Sequence, residues 1–169
     1  MKRLLILLTV LVLFLVACSN LGSDSPPVLP QSFEADLIVR FNESEMTAHW
    51  KKDGVASNSI KIITPDSING LELKFNGSKC TVTYEDLSFD MDINRFPQTA
   101  FGTELVNSFE QVIKNTDITV NKRDGAWEYK GENSTGSYIL RQNTDTGFLE
   151  FFSVPSIDLT VNFENFKKI

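Results

Sequence analysis

Histidine and cysteine, two residue types that often carry catalysis or bind metals, are scarce in this 169-residue chain, which has one histidine and two cysteines. His49 is the only histidine. It shares the polar side of its predicted strand with Glu45, Thr47 and Lys51, so we expect a solvated side chain and no Ser–His–Asp set around it. Asp90–Asn94 matches the first half of a calcium loop, but Arg95 stands where that loop needs glycine and Phe101 where it needs glutamate. We therefore predict no catalytic residue, no cofactor and no metal site, with weak surface binding of a cation as the alternative.

The two cysteines have different expected roles. Cys80 shares one face of a predicted strand with Val82 and Tyr84, which favours a buried, unreactive thiol over a nucleophile. Cys18 follows a segment of quite different composition at the start of the chain. An intramolecular disulfide between them is excluded if Cys18 is modified, as the next observation indicates.

The first 17 residues have the order of a secretory signal peptide: a basic start at Met1–Arg3, then a run from Leu4 to Val16 that is apolar apart from Thr9. That run is too short to span a bilayer core of about 30 Å as a helix. It ends in Leu-Val-Ala-Cys, with the cysteine at Cys18, which resembles the lipobox of bacterial lipoproteins. The resemblance implies cleavage before Cys18 and attachment of a diacylglyceryl group, with acyl chains such as palmitate, to its thiol. An ordinary signal peptide is the alternative.

We accordingly predict a protein on the extracytoplasmic side of the cell envelope, anchored to the membrane by lipid at Cys18. Several acyl chains on one residue give durable anchoring, since each buried CH₂ contributes about 0.8 kcal/mol. Residues 19–31 include three Ser, three Pro and one Gly and predict a flexible tether. The predicted organisation is a signal peptide over 1–17, the lipidated cysteine and tether over 18–31, and one domain over 32–169.

The charge balance of the chain argues against nucleic acid as a partner. The chain has 16 basic and 22 acidic residues, a formal net charge of −6, and removal of Lys2 and Arg3 with the signal peptide makes it more acidic. Phosphate backbones require clustered Lys and Arg, and the chain has no such cluster. We predict no binding of nucleic acid.

From Ser32 onward the apolar residues recur with period two, which predicts β-strands. Asp-Gly and Asn-Gly pairs at Asp53, Asn76 and Asp124 supply hairpin turns. Ten strands are predicted in chain order: 33–41, 45–52, 59–64, 71–75, 79–84, 118–121, 126–130, 137–141, 148–153 and 157–163. One segment, Thr99–Asn115, has helical spacing and follows Pro97. The predicted fold is mainly β (α+β): a curved antiparallel sheet or half-open β-barrel of about ten strands with one covering helix.

The order of these elements resembles a known family. An early run at Ser32–Leu37 precedes a P-x-x-I-x-G turn at Pro65–Gly70, an Asn-Gly hairpin, a helix introduced by proline, and a closing strand at Asp158–Phe166. This arrangement is similar to the LolA/LolB-like lipoprotein-carrier superfamily over almost the whole domain. The resemblance implies a half-open barrel with a helical lid over an apolar cavity for acyl chains or other hydrophobic molecules. Members usually have a helix before the first strand, where this chain has its tether.

Two hypotheses for function follow, neither of them enzymatic. In the first, an apolar cavity binds a lipid, an acyl chain or the lipid tail of a lipoprotein. The predicted ligand-binding residues are Phe41, Trp50, Phe75, Tyr84 and Trp127. The predicted lid is Pro97–Asn115, with Phe101, Leu105 and Phe109. In the second, the aromatic residues fill the core and the domain is an interaction or sensor module that contacts another envelope protein. The sequence does not identify that protein.

Overall fold

The computed structural model describes residues 25–55, 57–77, 79–92 and 101–169. The signal peptide, Cys18 and Pro97 lie outside the described residues. The strands are β1 (Phe33–Phe41), β2 (Ser44–Asp53), β3 (Ser57–Thr64), β4 (Glu72–Asn76), β5 (Lys79–Tyr84), β6 (Leu87–Asp92), β7 (Thr119–Arg123), β8 (Ala126–Asn133), β9 (Gly136–Asn143), β10 (Leu149–Val154) and β11 (Leu159–Lys168). The helix α1 is Phe101–Lys114, and short 3₁₀ turns lie at Asp66–Ile68 and Pro155–Ile157.

All eleven strands belong to one antiparallel sheet with the order β6-β5-β4-β3-β2-β1-β11-β10-β9-β8-β7. Apart from β6 and β7, strands that follow one another in the sequence are neighbours in the sheet, and the first and last strands pair in its middle. The sheet is curved and unclosed, which confirms the predicted fold class. Since β6 and β7 form opposite edges, the connection that contains α1 must cross the sheet from one edge to the other.

The period-two pattern explains which face of the sheet is covered. In β1, Phe33, Ala35, Leu37 and Val39 are buried while the residues between them are half-buried. The predicted turn at Asp124-Gly125 has positive φ at both residues, 50° and 76°, as a type I′ hairpin requires. The inward-facing residues of all strands form one core that includes the apolar side of α1.

The helix lies within its predicted range of Thr99–Asn115. Asn115 ends it with φ 52°, the left-handed conformation found just after many helices. The backbone N–H of Asn115 donates to the Val112 carbonyl, and the N–H of Thr116 donates to the Gln111 carbonyl. These bonds satisfy carbonyls that the last turn of a helix leaves free.

The structure adds one strand and extends the packed domain. The additional strand is β6, whose acidic residues matched the start of a calcium loop in the sequence. Leu29, in the predicted tether, is buried and belongs to the core, so packing begins before residue 32. Its neighbour Val28 is 89% exposed, so Leu29 alone of this apolar pair packs against the core. Within the described residues, no helix combines the length and apolar character needed to cross a membrane.

Candidate functional site

The concave face of the sheet is the place where the sequence predicted a ligand cavity, and Trp50 lies there on β2, next to the middle strand β1. The Trp50 ring is fully buried, with centroids 4.8 Å from Phe33 and 5.3 Å from Phe109, both edge to face. Its Nε1–H donates to Asn58 Oδ1 at 3.2 Å. An aromatic side chain with protein on all sides and its polar atom satisfied is a core residue.

Phe75 lies beneath the first turn of α1, where the helix approaches the sheet closely. A Cβ added to Gly102 would lie 3.1 Å from Leu73 Cδ1 and 3.4 Å from both Ile60 Cδ1 and Phe75 Cζ. Glycine therefore allows the helix backbone to pack directly on these side chains. The space between α1 and strands β3 and β4 is filled at this point.

The other three predicted ligand-binding residues lie away from Trp50 and Phe75. Phe41 is half-buried and borders a surface pocket of about 210 Å³. Tyr84 is half-buried, and its hydroxyl donates to the Ser67 carbonyl at 3.1 Å. Trp127 is buried, with Lys122 Nζ 5.5 Å from its ring centroid. These five side chains are not brought together around a common space.

The three predicted lid residues are brought together. Phe101, Leu105 and Phe109 are all buried on the side of α1 that faces the sheet, together with Val106 and Val112. Phe109 completes a triangle of rings with Phe33 and Trp50. The helix covers the sheet as predicted, and its side chains occupy the concave face.

A buried ion pair also joins α1 to the sheet. The Lys52 side chain is fully buried, and its Nζ donates to Glu110 Oε1 at 2.6 Å. The ammonium lies 5.6 Å from the Phe109 ring centroid, within the range of a cation–π interaction. A buried lysine requires such partners, because an unpaired charge is strongly disfavoured away from water.

A second polar contact holds the start of α1 to the hairpin between β8 and β9. Glu104 is buried, and its Oε2 accepts hydrogen bonds from Asn133 Nδ2 at 2.6 Å and Thr135 Oγ1 at 2.9 Å. Asn133 Nδ2 also donates to Ser108 Oγ at 3.1 Å. Burial raises the pKa of the Glu104 carboxyl, and the hydrogen bond from Thr135 opposes that shift.

A pocket lies outside the packed interior, where the N-terminal segment meets the end of α1. Its volume is about 430 Å³, and its walls include Pro26, Leu29, Val112, Ile118 and Tyr129. The lining is mostly apolar. Apart from Val112, which lies in the predicted lid segment, none of these residues was predicted from the sequence to line a site, because the pocket depends on where residues 25–31 pack.

The residues that could carry chemistry are occupied by ordinary structural contacts. His49 Nδ1 lies 2.8 Å from Asp36 Oδ1 on the outer face of the sheet. Hydrogen bonds from Asn165 and His49 lower the pKa of the Asp36 carboxyl. Burial raises the pKa of the Cys80 thiol to about 11. In the part of the chain that the structure describes, no group of three His, Cys, Asp or Glu side chains is placed to hold a metal ion.

Comparisons with known proteins identify the fold but not a family. No family model matches the chain, and no curated protein matches its sequence. A conserved protein from Thermus thermophilus matches with a TM-score of 0.56 at 12% identity, covering 83% of this chain and 80% of that one. A chain in the structure of the CwlD amidase from Clostridioides difficile in complex with the GerS lipoprotein matches with a TM-score of 0.55 at 14% identity, covering 95% of both chains.

A third similar structure is a LolA superfamily protein. It comes from Nitrosomonas europaea and matches with a TM-score of 0.44 at 11% identity, covering 83% of this chain and 87% of that one. A member of the superfamily that the sequence resembles is thus among the solved structures that match. At these identities the likeness concerns the fold alone.

Proposed function

We propose that the protein is a membrane-anchored, extracytoplasmic binding protein whose folded domain docks a partner protein of the cell envelope. The observation that carries this proposal is the close approach of α1 to the sheet at Gly102, where an added Cβ would lie within 3.4 Å of Leu73, Ile60 and Phe75. A carrier of the type that the sequence resembles would hold its cargo between helix and sheet. Here the side chains of α1 fill that space, which leaves the outer surface for binding.

The lipid anchor is the second part of the proposal. The lipobox-like end of the signal peptide supports lipidation at Cys18, and Leu29 is the first buried residue of the described chain. The eleven residues from Cys18 to Leu29 reach at most about 36–40 Å when fully extended. The domain would therefore stay close to the membrane surface, where its partner would be anchored or secreted.

We propose that the domain has no catalytic activity. The buried Cys80 thiol is a poor nucleophile, because attack requires a thiolate and burial raises the pKa of this thiol to about 11. His49 pairs with Asp36 on the outer face, with no neighbouring nucleophile among its hydrogen-bond partners.

The similar chain from the amidase–lipoprotein structure supports a role in protein assembly. That structure is a complex between an enzyme and a lipoprotein, so a chain with this fold occurs in a protein–protein complex. By analogy, the domain of this chain would bind another protein of the cell envelope.

A second candidate function is the binding of one hydrophobic chain, and the pocket beside the N-terminal segment favours it. A volume of about 430 Å³ and a mostly apolar lining are typical of ligand sites. Such a ligand would lie between residues 25–31 and the end of α1, outside the predicted wall around Trp50.

One experiment separates the two candidates. The full-length, lipid-anchored protein is cross-linked in the envelope of its producing cell, and the same protein is released from detergent for native mass spectrometry. A cross-linked protein that binds again when both components are purified supports docking. Failure to cross-link, together with an adduct of a few hundred daltons that extracts into chloroform, supports the second candidate. Ile118→Asp should then remove the adduct, while Val55→Asp, on an exposed turn, should retain it.

A further inference from the structure

Strand β6 is an edge of the sheet with an apolar surface of its own. It pairs with β5 on one side, and no strand of the described chain pairs with its other side. Leu87 is 68% exposed and Phe89 is 53% exposed. Proteins usually protect such edges, because free backbone N–H and C=O groups can pair with another chain.

The exposed side chains of β6 continue the apolar face of the sheet. Phe89 lies opposite Val82 and Met91 lies opposite Cys80, two positions that face the core. Residues opposite each other in an antiparallel pair project from the same face. Leu87, Phe89 and Met91 therefore form an apolar row next to the core, on the last strand of the sheet.

The charge near this edge is negative. Glu85 and Asp86 form the turn before β6, and Asp90 lies on its outer face, where it accepts a hydrogen bond from Thr81 Oγ1 at 2.6 Å. The opposite edge, β7, carries Lys122 and Arg123 instead. The two edges of the sheet thus differ in both charge and apolar surface.

We infer that β6 is the docking edge of the domain and that its occupant is an extended segment of a partner protein, in which apolar residues alternate with basic residues. The segment would add one antiparallel or parallel strand to the sheet, with backbone hydrogen bonds to β6. Its apolar side chains would cover Leu87 and Phe89, and its basic side chains would face Asp90 and the acidic turn. This inference rests on the proposed function and names the surface and the partner chemistry.

A second copy of this chain fits the edge less well. Two β6 strands in contact would bring their Asp90 carboxylates together with the two acidic turns. Pairing of β6 with β7 of another copy would match charges, but Val120 is the one aliphatic side chain of β7 and could not cover both Leu87 and Phe89. Such a head-to-tail contact also leaves free edges at both ends and would build open filaments.

The test uses the full-length protein in nanodiscs of phosphatidylcholine, a zwitterionic lipid that does not attract cationic peptides. The probe is a fluorescent nonapeptide of alternating valine and lysine, and the control peptide alternates valine and glutamate. We expect the lysine peptide to bind at least ten times more tightly than the glutamate peptide. Hydrogen exchange should slow at the backbone amides of β6 and stay unchanged at those of β7.

The variants Leu87→Asp and Phe89→Asp should each weaken binding of the lysine peptide at least ten-fold. The matched control is Val55→Asp, because Val55 is also 68% exposed but lies in the turn between β2 and β3. Asp90→Asn keeps an acceptor for Thr81 and should weaken binding a few-fold, mainly at low salt. Urea unfolding of each variant shows whether the domain is intact.

Any of four results would overturn the inference. The protein could bind both peptides with equal affinity, or hydrogen exchange could slow at backbone amides outside β6. The Leu87→Asp variant could bind the lysine peptide as tightly as the wild type, or the protein could self-associate in a way that buries β6. Cross-links to a partner from other surfaces, with none from β6, would also reject the docking edge. The proposed function would survive that last result, whereas the loss of all protein cross-links would reject both.

Discussion

The helix α1 contacts the rest of the domain in two chemically different ways. On one side, Phe109 packs with Phe33 and Trp50 in a buried aromatic triangle. On the other side, Glu104 accepts hydrogen bonds from the β8–β9 hairpin through Asn133 and Thr135. The first contact consists of apolar area and ring geometry, and the second consists of a buried carboxyl with its donors.

The aromatic contact keeps α1 attached to the sheet, whereas the hydrogen-bonded Glu104 carboxyl fixes the position of the helix. Aromatic packing contributes much free energy and is insensitive to pH. A buried carboxyl contributes less, because its hydrogen bonds compensate for lost hydration, and its contribution depends on ionisation. The apolar contact should therefore dominate stability, whereas the polar contact should determine how stability varies in acid.

The largest effect is expected from the aromatic triangle. Trp50→Ala should lower the free energy of unfolding by about 3–5 kcal/mol, because the cavity left by a fully buried ring cannot collapse completely. Urea unfolding followed by circular dichroism measures this change. Trp127→Ala is the control, since Trp127 lies near the β7 edge and its cavity can open toward solvent. A loss below about 1 kcal/mol for Trp50→Ala would mean that the interior is not packed as described.

The sequence predicted the aromatic side of this comparison well. The period of two placed Phe33 and Trp50 on inward positions, and the helical spacing placed Phe101, Leu105 and Phe109 on one face of α1. Both patterns are local properties of the chain. They do not specify how closely two faces approach, so the sequence left the choice between an open and a filled interior undecided. The space is filled where Gly102 faces Leu73, Ile60 and Phe75, and these residues lie about 30 to 40 positions earlier in the chain.

The polar side and the docking edge were not predictable in the same way. Glu104 looks like any acidic residue near a helix start, and its burial follows from a hairpin about 30 residues later. In β6, the alternation of Leu87, Phe89 and Met91 was a strand signal, but it is short and its acidic residues matched a calcium loop. The position of β6 at an edge follows from the pairing of β1 with β11, which no local pattern encodes.

The next largest effect concerns the ion pair between Lys52 and Glu110. Glu110→Ala should lower the free energy of unfolding by about 3 kcal/mol, because it leaves a fully buried ammonium without its partner. Lys52→Met should cost about 1 kcal/mol, since Met retains the apolar stem and the remaining Glu110 side chain is 18% exposed to water. Equal losses of unfolding free energy in Glu110→Ala and Lys52→Met would show that water reaches Lys52, which would contradict the complete burial of its side chain.

A smaller effect distinguishes the carboxyls of Glu104 and Asp36, because their contributions to stability change with pH in opposite directions. Burial raises the pKa of Glu104 above its usual 4.5 in the folded state. The folded protein therefore takes up this proton first, and the contribution of Glu104 to stability increases as pH falls toward 4.5. Glu104→Gln should remove that increase. Urea unfolding of wild type and variant between pH 7 and pH 4.5 measures it, and parallel curves would contradict a raised pKa.

Asp36 is a control, because its contribution to stability changes with pH in the direction opposite to that of Glu104. Hydrogen bonds from Asn165 and His49 lower the pKa of its carboxyl below 3.8, so its contribution is complete above pH 3.8 and is lost as pH falls through the folded pKa. Asp36→Asn should reduce the loss of stability below pH 3.8 and leave the range above pH 4.5 unchanged. If both variants changed the same pH range in the same direction, the difference between the two carboxyls would disappear.

The smallest effect is a change in labelling rate at Cys80, which reports on the packing between α1 and the sheet without altering it. Cys80 lies opposite Phe75, the residue beneath Gly102, and burial raises the pKa of its thiol to about 11. Iodoacetamide reacts with the thiolate, so the folded protein at pH 8 should be alkylated far more slowly than the protein in urea.

Trp50→Ala should speed the alkylation of Cys80, because loss of the aromatic triangle raises the population of open states. Glu104→Gln at the same pH should leave the rate nearly unchanged, since the aromatic contact remains. Mass spectrometry of the alkylated protein over time gives each rate. A faster reaction in Glu104→Gln than in Trp50→Ala would reverse the comparison and make the polar contact the one that keeps the helix on the sheet.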